Sequence, residues 1–426
     1  MDTGVINKRI LSTFSALSHR NFRLFWTGQC ISLIGTWMQN IGQSWLVLQL
    51  TQSPFKLGLV SALQFLPMML FSLFAGTLVD RLPKRRVLIF TQASLMVLAA
   101  VLASLTWFNI VEYWHILLLA TLLGIVNTLD MPTRQSFFIE LVGKEDLMNA
   151  IALNSTIFNL ARIVGPAIAG ILIGLIGIAS CFYLNAVSFI AVIAGLKMMN
   201  IPSYAANIKG NKKTIKSTFE DIKEGLVYIK SKPIISQPLL LLAITSMFVM
   251  NFAVVVPILA KQSLNQNATG YGLMMTFMGI GSFAGALALA AKSRNGPKLY
   301  LLTGGAIGMS LFLLILGFEK NYLLACITLL IIGFCAITFT TLVNSIIQLS
   351  STDIMRGRVM SVYSMVFGGV IPIGSLFAGK ATELLGVSAC MIISGLIGIF
   401  ASTFTFFVLN RKYSDKIITA QERVRR

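Results

Sequence analysis

The sequence predicts an all-α membrane protein, with twelve transmembrane helices in two pseudo-symmetric six-helix halves and both termini cytoplasmic. Three observations predict it. The 426-residue chain is 56% hydrophobic and only 12% charged, with a mean hydropathy of +0.81, whereas soluble domains carry about 25% charged residues. Its apolar residues fall into twelve runs, each near the roughly 20 residues that a helix needs to cross a bilayer. Its basic residues cluster in alternate gaps between the runs, as cytoplasmic loops require. A net charge of +19 would suggest nucleic acid in a soluble chain. Here the charges are topology signals, no aromatic–basic platform accompanies them, and no nucleic-acid partner is expected.

Residues 1–21 carry Lys8, Arg9 and Arg20 without a short apolar core ending in a cleavage site. They read as a cytoplasmic lead-in, not a signal peptide. The N-terminal half, 22–199, holds runs at 22–49, 57–79, 87–108, 114–135, 149–176 and 179–199. Residues 200–235 form the longest polar gap, a cytoplasmic linker. Phe219, Ile222, Leu226 and Ile229 recur there at helical spacing among lysines, which predicts an amphipathic helix lying on the membrane surface. The C-terminal half, 236–410, holds runs at 236–260, 270–291, 298–317, 322–348, 358–384 and 388–410, and 411–426 is a basic cytoplasmic tail. With both ends inside, Lys56, Lys261, Lys320 and Lys380 are the only external basic residues and Arg162 falls within a run. The remaining 29 of 34 lie at or near the cytoplasmic face.

An internal repeat supports two halves. At an offset of 209, Phe74-Ala75-Gly76 meets Phe283-Ala284-Gly285, Arg85 meets Arg294, Gly165 meets Gly374, Ala169-Gly170 meets Ala378-Gly379 and Gly177 meets Gly386. Cys30, Cys181, Cys326, Cys335 and Cys390 all lie inside apolar runs, and only His19 and His115 are histidines. No metal site, cofactor or disulfide is expected. A membrane-embedded acyltransferase-type enzyme, the alternative from another functional class, would need His, Ser or Asp clusters that this chain does not offer. No phosphate-binding G-x-x-x-x-G-K-[ST] loop occurs, which disfavours ATP-driven transport.

The loop between the second and third runs reads Gly76-x-x-x-Asp80-Arg81-x-x-x-Arg85-Arg86. By composition alone it is a positive-inside loop. Its pattern, however, resembles the signature loop of the major facilitator superfamily. Further pieces are Asn21-Phe22-Arg23-Leu24-Phe25-Trp26, Gln64-Phe65-Leu66-Pro67, Asp130-Met131-Pro132-Thr133-Arg134, Phe158-Asn159, Arg162 and Gly165-Pro166, with Gly225-Leu226-x-Tyr228 and Arg356-Gly357-Arg358 further on. Together these resemble the bacterial exporter branch that includes enterobactin-type siderophore exporters and macrolide efflux proteins. The resemblance implies a major facilitator fold, a bacterial inner (plasma) membrane location and a proton-driven exporter. It also implies that Asp80 docks on the N-terminus of the eleventh helix, near Gly357–Ser361, when the cytoplasmic side closes. Gly165-Pro166 resembles the helix-five motif of antiporters.

Candidate site residues follow from intramembrane polarity. Gln29, Ser32, Thr36, Gln39, Asn40 and Gln43 form a stripe at helical period in the first run; Thr341, Asn344, Ser345 and Gln348 do so in the tenth. Such stripes face a wet cavity or supply hydrogen-bond glue between helices, worth only about 0.6 kcal/mol per contact. The superfamily resemblance, in which helices one, four, seven and ten line the cavity, points to the former for Gln29, Thr36, Gln39, Asn40, Gln43, Asn344 and Gln348. Arg162, with Asn159 one turn away, lies near the middle of the fifth run and needs an anionic partner or freed carbonyls near Pro166. At a rise of 1.5 Å per residue, Arg162 and Asp130 differ in depth by ~12 Å, too far to pair. Asp130 fits Arg134, four residues on, either as a protonatable gate or as a structural pair, and spacing favours the pair. Gating and coupling candidates are therefore Gly76, Asp80, Arg81, Arg85, Arg86, Asp130, Arg134, Gly165 and Pro166. The expected activity is secondary export of a small amphipathic siderophore or macrolide-like molecule by alternating access, with a proton as coupling ion. A lipid or lysolipid translocator of the same fold is the alternative. The lipid bilayer is the other partner, and a monomer is the favoured oligomeric expectation.

Overall fold

The computed structural model describes residues 14–79, 82–200, 215–292 and 297–425. After a 3-10 turn at Ser15–Ser18, the chain runs through α1 Arg20–Thr51, α2 Pro54–Val79, α3 Lys84–Trp107, α4 Tyr113–Val142, α5 Leu147–Leu175 and α6 Ala179–Met198. Then come α7 Ile215–Ser231, α8 Pro233–Phe248 and α9 Phe252–Ile258. A π turn at Leu259–Ser263 follows, then α10 Ala268–Lys292, α11 Leu299–Leu316, α12 Tyr322–Ser350, α13 Asp353–Gly369, α14 Ile371–Leu385 and α15 Val387–Arg425.

Eleven stretches among the described residues are long and apolar enough to cross a membrane. The predicted first run is not one of them, although α1 is continuous over 32 residues. Its polar stripe and two arginines lower its hydropathy. The helix expected as the first span, α1, is therefore continuous but falls below the hydropathy that the other eleven stretches reach. Two predicted single helices are also interrupted. The 236–260 run breaks between α8 and α9, where the Asn251 side chain donates to the Met247 carbonyl at 2.7 Å. The 358–384 run breaks at Val370, after Gly368-Gly369 and just before Pro372. A proline there has no N–H for the ladder, and its ring crowds the carbonyl four residues back. By contrast α2, α4 and α5 continue through Pro67, Pro132 and Pro166.

The described residues form two compact units. One contains residues up to Gln52, Leu63 to the end of α6, and Asn267–Thr276. The other contains Ser53–Ala62, α7 to Gln266, and Phe277 onward. Thus α2 and α10 each contribute their opening turns to one unit and the remainder to the other. In the first unit Thr269 donates to the Gly170 carbonyl at 2.8 Å; in the second, Ser61 and Ser375 share a hydrogen bond of 3.0 Å. A cluster of Phe22, Phe25, Phe137 and Phe138, with ring centroids 5.7–6.2 Å apart edge to face, ties α1 to α4. Small residues let helices meet elsewhere, because lipid gives no hydrophobic drive for helix association.

The repeat is visible in the bonding. Cys181 Sγ donates to the Ala169 carbonyl and Cys390 Sγ to the Ala378 carbonyl, both at 3.8 Å and both pairs 209 residues apart. Gly177 and Gly386, at the same offset, both turn with positive φ, 102° and 84°. Only a residue without Cβ takes that geometry without strain.

Candidate functional site

The α1 stripe is largely committed to packing. Gln39 Oε1 accepts from Asn185 Nδ2 on α6 at 2.6 Å, and Gln43 Nε2 donates to Gln64 Oε1 on α2 at 3.1 Å. Gln29 is buried with its Oε1 unpartnered among protein groups. Thr36 donates to its own helix at the Ser32 carbonyl, and Asn40 is half-buried. The structure therefore gives Gln39 and Gln43 interhelical partners, whereas none reaches the Gln29 Oε1 among the described residues. On α12, Gln348 Nε2 donates to Asn344 Oδ1 at 2.6 Å on the exposed side.

Asp130 is the only buried acidic side chain among the described residues. One carboxylate oxygen accepts Thr91 Oγ1 at 2.7 Å and Gln92 Nε2 at 2.8 Å, both from α3. The other accepts Arg134 Nη2 at 2.5 Å. The spacing indicates Arg134. It does not indicate α3, although Thr91-Gln92 stands out as a polar pair in an apolar run. Arg162 is not among these partners. Three donors from two helices converge on one carboxylate, so the arrangement suits a structural lock between α3 and α4.

Two of the basic residues after the α2–α3 turn, Lys84 and Arg85, are also tied down. Asp80 and Arg81 lie outside the described residues, and Gly76 belongs to α2. Lys84 bonds Glu140 on α4 at 2.5 Å. Arg85 donates to the Leu196 and Lys197 carbonyls at 2.7 and 2.9 Å. It caps the C-terminal end of α6, where orphan carbonyls and the helix dipole favour a cation. Arg86 is exposed. Of the proposed gating arginines, Arg85 thus has a structural task.

The segment before α1 is clamped to the α4–α5 turn. Ser15 Oγ donates to Asp146 Oδ1 at 2.5 Å, His19 Nε2 meets Asp146 Oδ2 at 2.7 Å, and the Ala16 N–H donates to Asn149 Oδ1 at 3.0 Å. The Ser15 hydroxyl first, then the His19 ring, hold the Asp146 carboxyl below the usual carboxylate range. A lowered folded-state value means the clamp contributes in full above about pH 4 and weakens as pH falls through the folded value. Limited proteolysis around residues 14–19 is expected to be slow at pH 7 and faster at pH 3. Asp146→Asn is expected to make it fast at both; equal rates for wild type and variant at pH 7 would refute the clamp.

Arg162 sits at the sixteenth of the 29 residues of α5, half-buried beside the buried stripe Ala150, Leu153, Ile157, Ala161 and Gly165. Among the described residues no hydrogen bond or ion pair reaches its guanidinium. Its one neighbour of note is Trp37 on α1, with Cζ 6.0 Å from the ring centroid. Trp37 in turn meets Phe158 edge to face at 5.8 Å. A cation–π contact contributes about 0.5–2 kcal/mol, against at least roughly 2.5–3.5 kcal/mol for an arginine at a helix centre in a bilayer. The charge is incompletely compensated. Residue types alone did not point to Trp37, because a tryptophan in an apolar run carries no distinguishing signal.

The profile of the transmembrane secretion effector family matches residues 11–423. The chain belongs to this family of the major facilitator superfamily. Members similar to it across most of their length include the staphyloferrin A transporter of Staphylococcus aureus, 27% identical over 93% of this chain and 98% of that one. The multidrug efflux pump Tap of Mycolicibacterium fortuitum is 24% identical over 84% and 89%, and macrolide efflux protein A of Streptococcus pyogenes is 22% identical over 88% and 93%. The fold is that of a solved bacterial homologue of the human lysosomal transporter Spinster, with TM-score 0.74, 11% identity and coverage of 91% and 96%. This family member is a multi-pass membrane transporter, not an enzyme.

Two motifs that carry the resemblance to this superfamily meet in space. Glu224 pairs with Arg358, 134 residues on, and the Tyr228 hydroxyl accepts the Thr352 N–H at 3.2 Å and Lys232 Nζ at 2.6 Å. The Lys232 ammonium, then Thr352, pulls the Tyr228 phenol down to about 8. The predicted amphipathic helix, α7, is thereby docked on the start of α13, with Leu226 and Val227 left exposed beside Lys223 and Lys230.

Proposed function

We propose that this transporter is a secondary active exporter of a small amphipathic molecule, a siderophore or a macrolide- or drug-like compound, working by alternating access in antiport with protons. The observation that carries this reading is near full-length similarity to the relatives named for staphyloferrin A transport and for multidrug and macrolide efflux. In this reading α1 is the twelfth span, both termini are cytoplasmic, the protein lies in the bacterial plasma membrane, and Arg162, Asn159, Thr36 and Asn40 belong to the cargo path. Asp80 acts as a latch on the start of the eleventh span. Asp130 holds α3 to α4, so the coupling proton travels on another group, with the cargo's own acid a candidate.

The test is paired mass spectrometry of spent medium and cell extract from wild-type and gene-deletion strains under iron limitation, with and without a protonophore. A compound lost from the medium and retained in deletion cells identifies the cargo. Its retention in wild-type cells after protonophore supports proton coupling. No difference under iron limitation or across a drug panel would overturn the exporter reading.

A further inference from the structure

We propose that Arg162, Trp37 and Phe158 form an anion-and-ring subsite that takes a cargo bearing a carboxylate next to a flat apolar group. The inference deepens the exporter reading and rests on it. Phe158 and Arg162 stand four residues apart on α5 and so share one face of that helix. Trp37 reaches both from α1, with the Arg162 Cζ 6.0 Å from its ring centroid and the Phe158 ring 5.8 Å away at 71°. This approach depends on Gly165, where a Cβ would lie 2.5 Å from the Trp37 Cβ and 3.0 Å from the Ile34 carbonyl. The glycine brings α1 and α5 together at the turn that carries the arginine.

Three properties then define the ligand. The guanidinium carries a permanent charge and five N–H donors in a planar fork, which matches a carboxylate with two parallel hydrogen bonds. Among the described residues none of those donors has a protein acceptor, and Asp130, the buried carboxylate of this unit, is already held by Thr91, Gln92 and Arg134. The aromatic pair beside the charge is accessible: Phe158 is 43% exposed and Trp37 and Arg162 are half-buried. A charge with an accessible ring pair next to it accepts an aryl carboxylate; a neutral cargo would leave the fork unmatched, and a bare small anion would leave the rings uncovered.

The experiment uses the full-length protein in nanodiscs of zwitterionic lipid, so that no lipid anion competes, with 2-naphthoate and its neutral analogue 2-naphthamide as probes in equilibrium dialysis. Wild type is expected to bind the carboxylate at least 10-fold more tightly than the amide. Arg162→Gln is expected to abolish that preference while keeping the amide affinity. Trp37→Leu is expected to weaken both probes. Equal binding of the two probes by wild type, no binding of either, or a preference that survives Arg162→Gln overturns the subsite. Should Arg162→Gln fail to fold, the wild-type ratio and the preference of Arg162→Lys, expected to be reduced but present, decide the matter. Loss of export on gene deletion without an anion preference removes the subsite and leaves the exporter. An anion preference without any export phenotype does the reverse.

Discussion

Asp130→Ala is expected to destabilise the first unit by about 3–5 kcal/mol, the usual loss when one partner of a buried ion pair is removed. The size follows from what remains. Arg134, with its side chain 19% exposed, keeps its charge without the carboxylate, and Gln92 keeps a buried amide donor with no acceptor, whereas the Thr91 hydroxyl falls back on the Leu88 carbonyl at 3.1 Å. Each such orphan adds a desolvation penalty of its own. Thermal unfolding in detergent, followed by gel filtration of the surviving monodisperse fraction, reads the loss. Asp130→Asn is expected to fall between alanine and wild type. It keeps an oxygen for Thr91 and Gln92 but turns an N–H₂ or a neutral oxygen toward Arg134. If Asp130 is a lock and not the proton carrier, Asp130→Asn transports at a rate per folded molecule close to wild type and with the same pH dependence. A folded Asp130→Asn protein that binds cargo yet no longer responds to a pH gradient would return the carboxylate to the coupling mechanism.

Gly281→Ala is expected to cost at least about 1–3 kcal/mol, the range for overpacking. A Cβ on Gly281 of α10 would lie 1.8 Å from the Leu330 carbonyl oxygen of α12. The contact is reciprocal, since a Cβ on Gly333 of α12 would lie 2.0 Å from the Met278 carbonyl oxygen of α10. Both obstacles are backbone, so neither can swing aside as a side chain would. The helices must separate, and the Ser282 Oγ bond to the Gly333 carbonyl at 3.2 Å goes with them. Gly281→Leu is expected to lose more. The double variant Gly281→Ala/Gly333→Ala is expected to cost less than the two single changes together, because one separation of the helices relieves both clashes. By contrast Gly304→Ala, where a Cβ meets nothing within 4 Å inside a helix, is expected to raise the melting midpoint slightly, since alanine in a helix interior is favoured over glycine by about 0.5–1 kcal/mol. A Gly281→Ala protein that melts with wild type would show that this contact is looser than described.

Much of the architecture was legible in the sequence because a bilayer permits few solutions. Apolar length is a one-dimensional signal, and the hydrocarbon core filters on it. The pairing of Asp130 with Arg134 was legible for a similar reason, since a four-residue spacing on a helix is local geometry. The amphipathic helix after α6 was legible from its period. The breaks in the seventh and eleventh runs were less so. Pro67, Pro132 and Pro166 lie inside helices that continue, so a proline alone does not tell an interruption from a tolerated site.

What the sequence by itself determined is the class: a multi-pass helical transporter with two related halves and a family resemblance dense enough to set the fold. What only the tertiary structure decided is the use of each polar group. Gln39 and Gln43 belong to the same stripe as Thr36 and Asn40, yet two are bonded to Asn185 and Gln64 and two are not. Arg85 caps the end of α6, and Asp130 gains two donors from α3. Trp37 comes to lie against Arg162 because Gly165 lets two helices touch. The physical reason is the same in each case. Periodicity records which face of a helix a side chain is on, but a hydrogen bond or a ring contact depends on which residue of another helix stands opposite, and that is set by backbone approach at the level of a single Cβ.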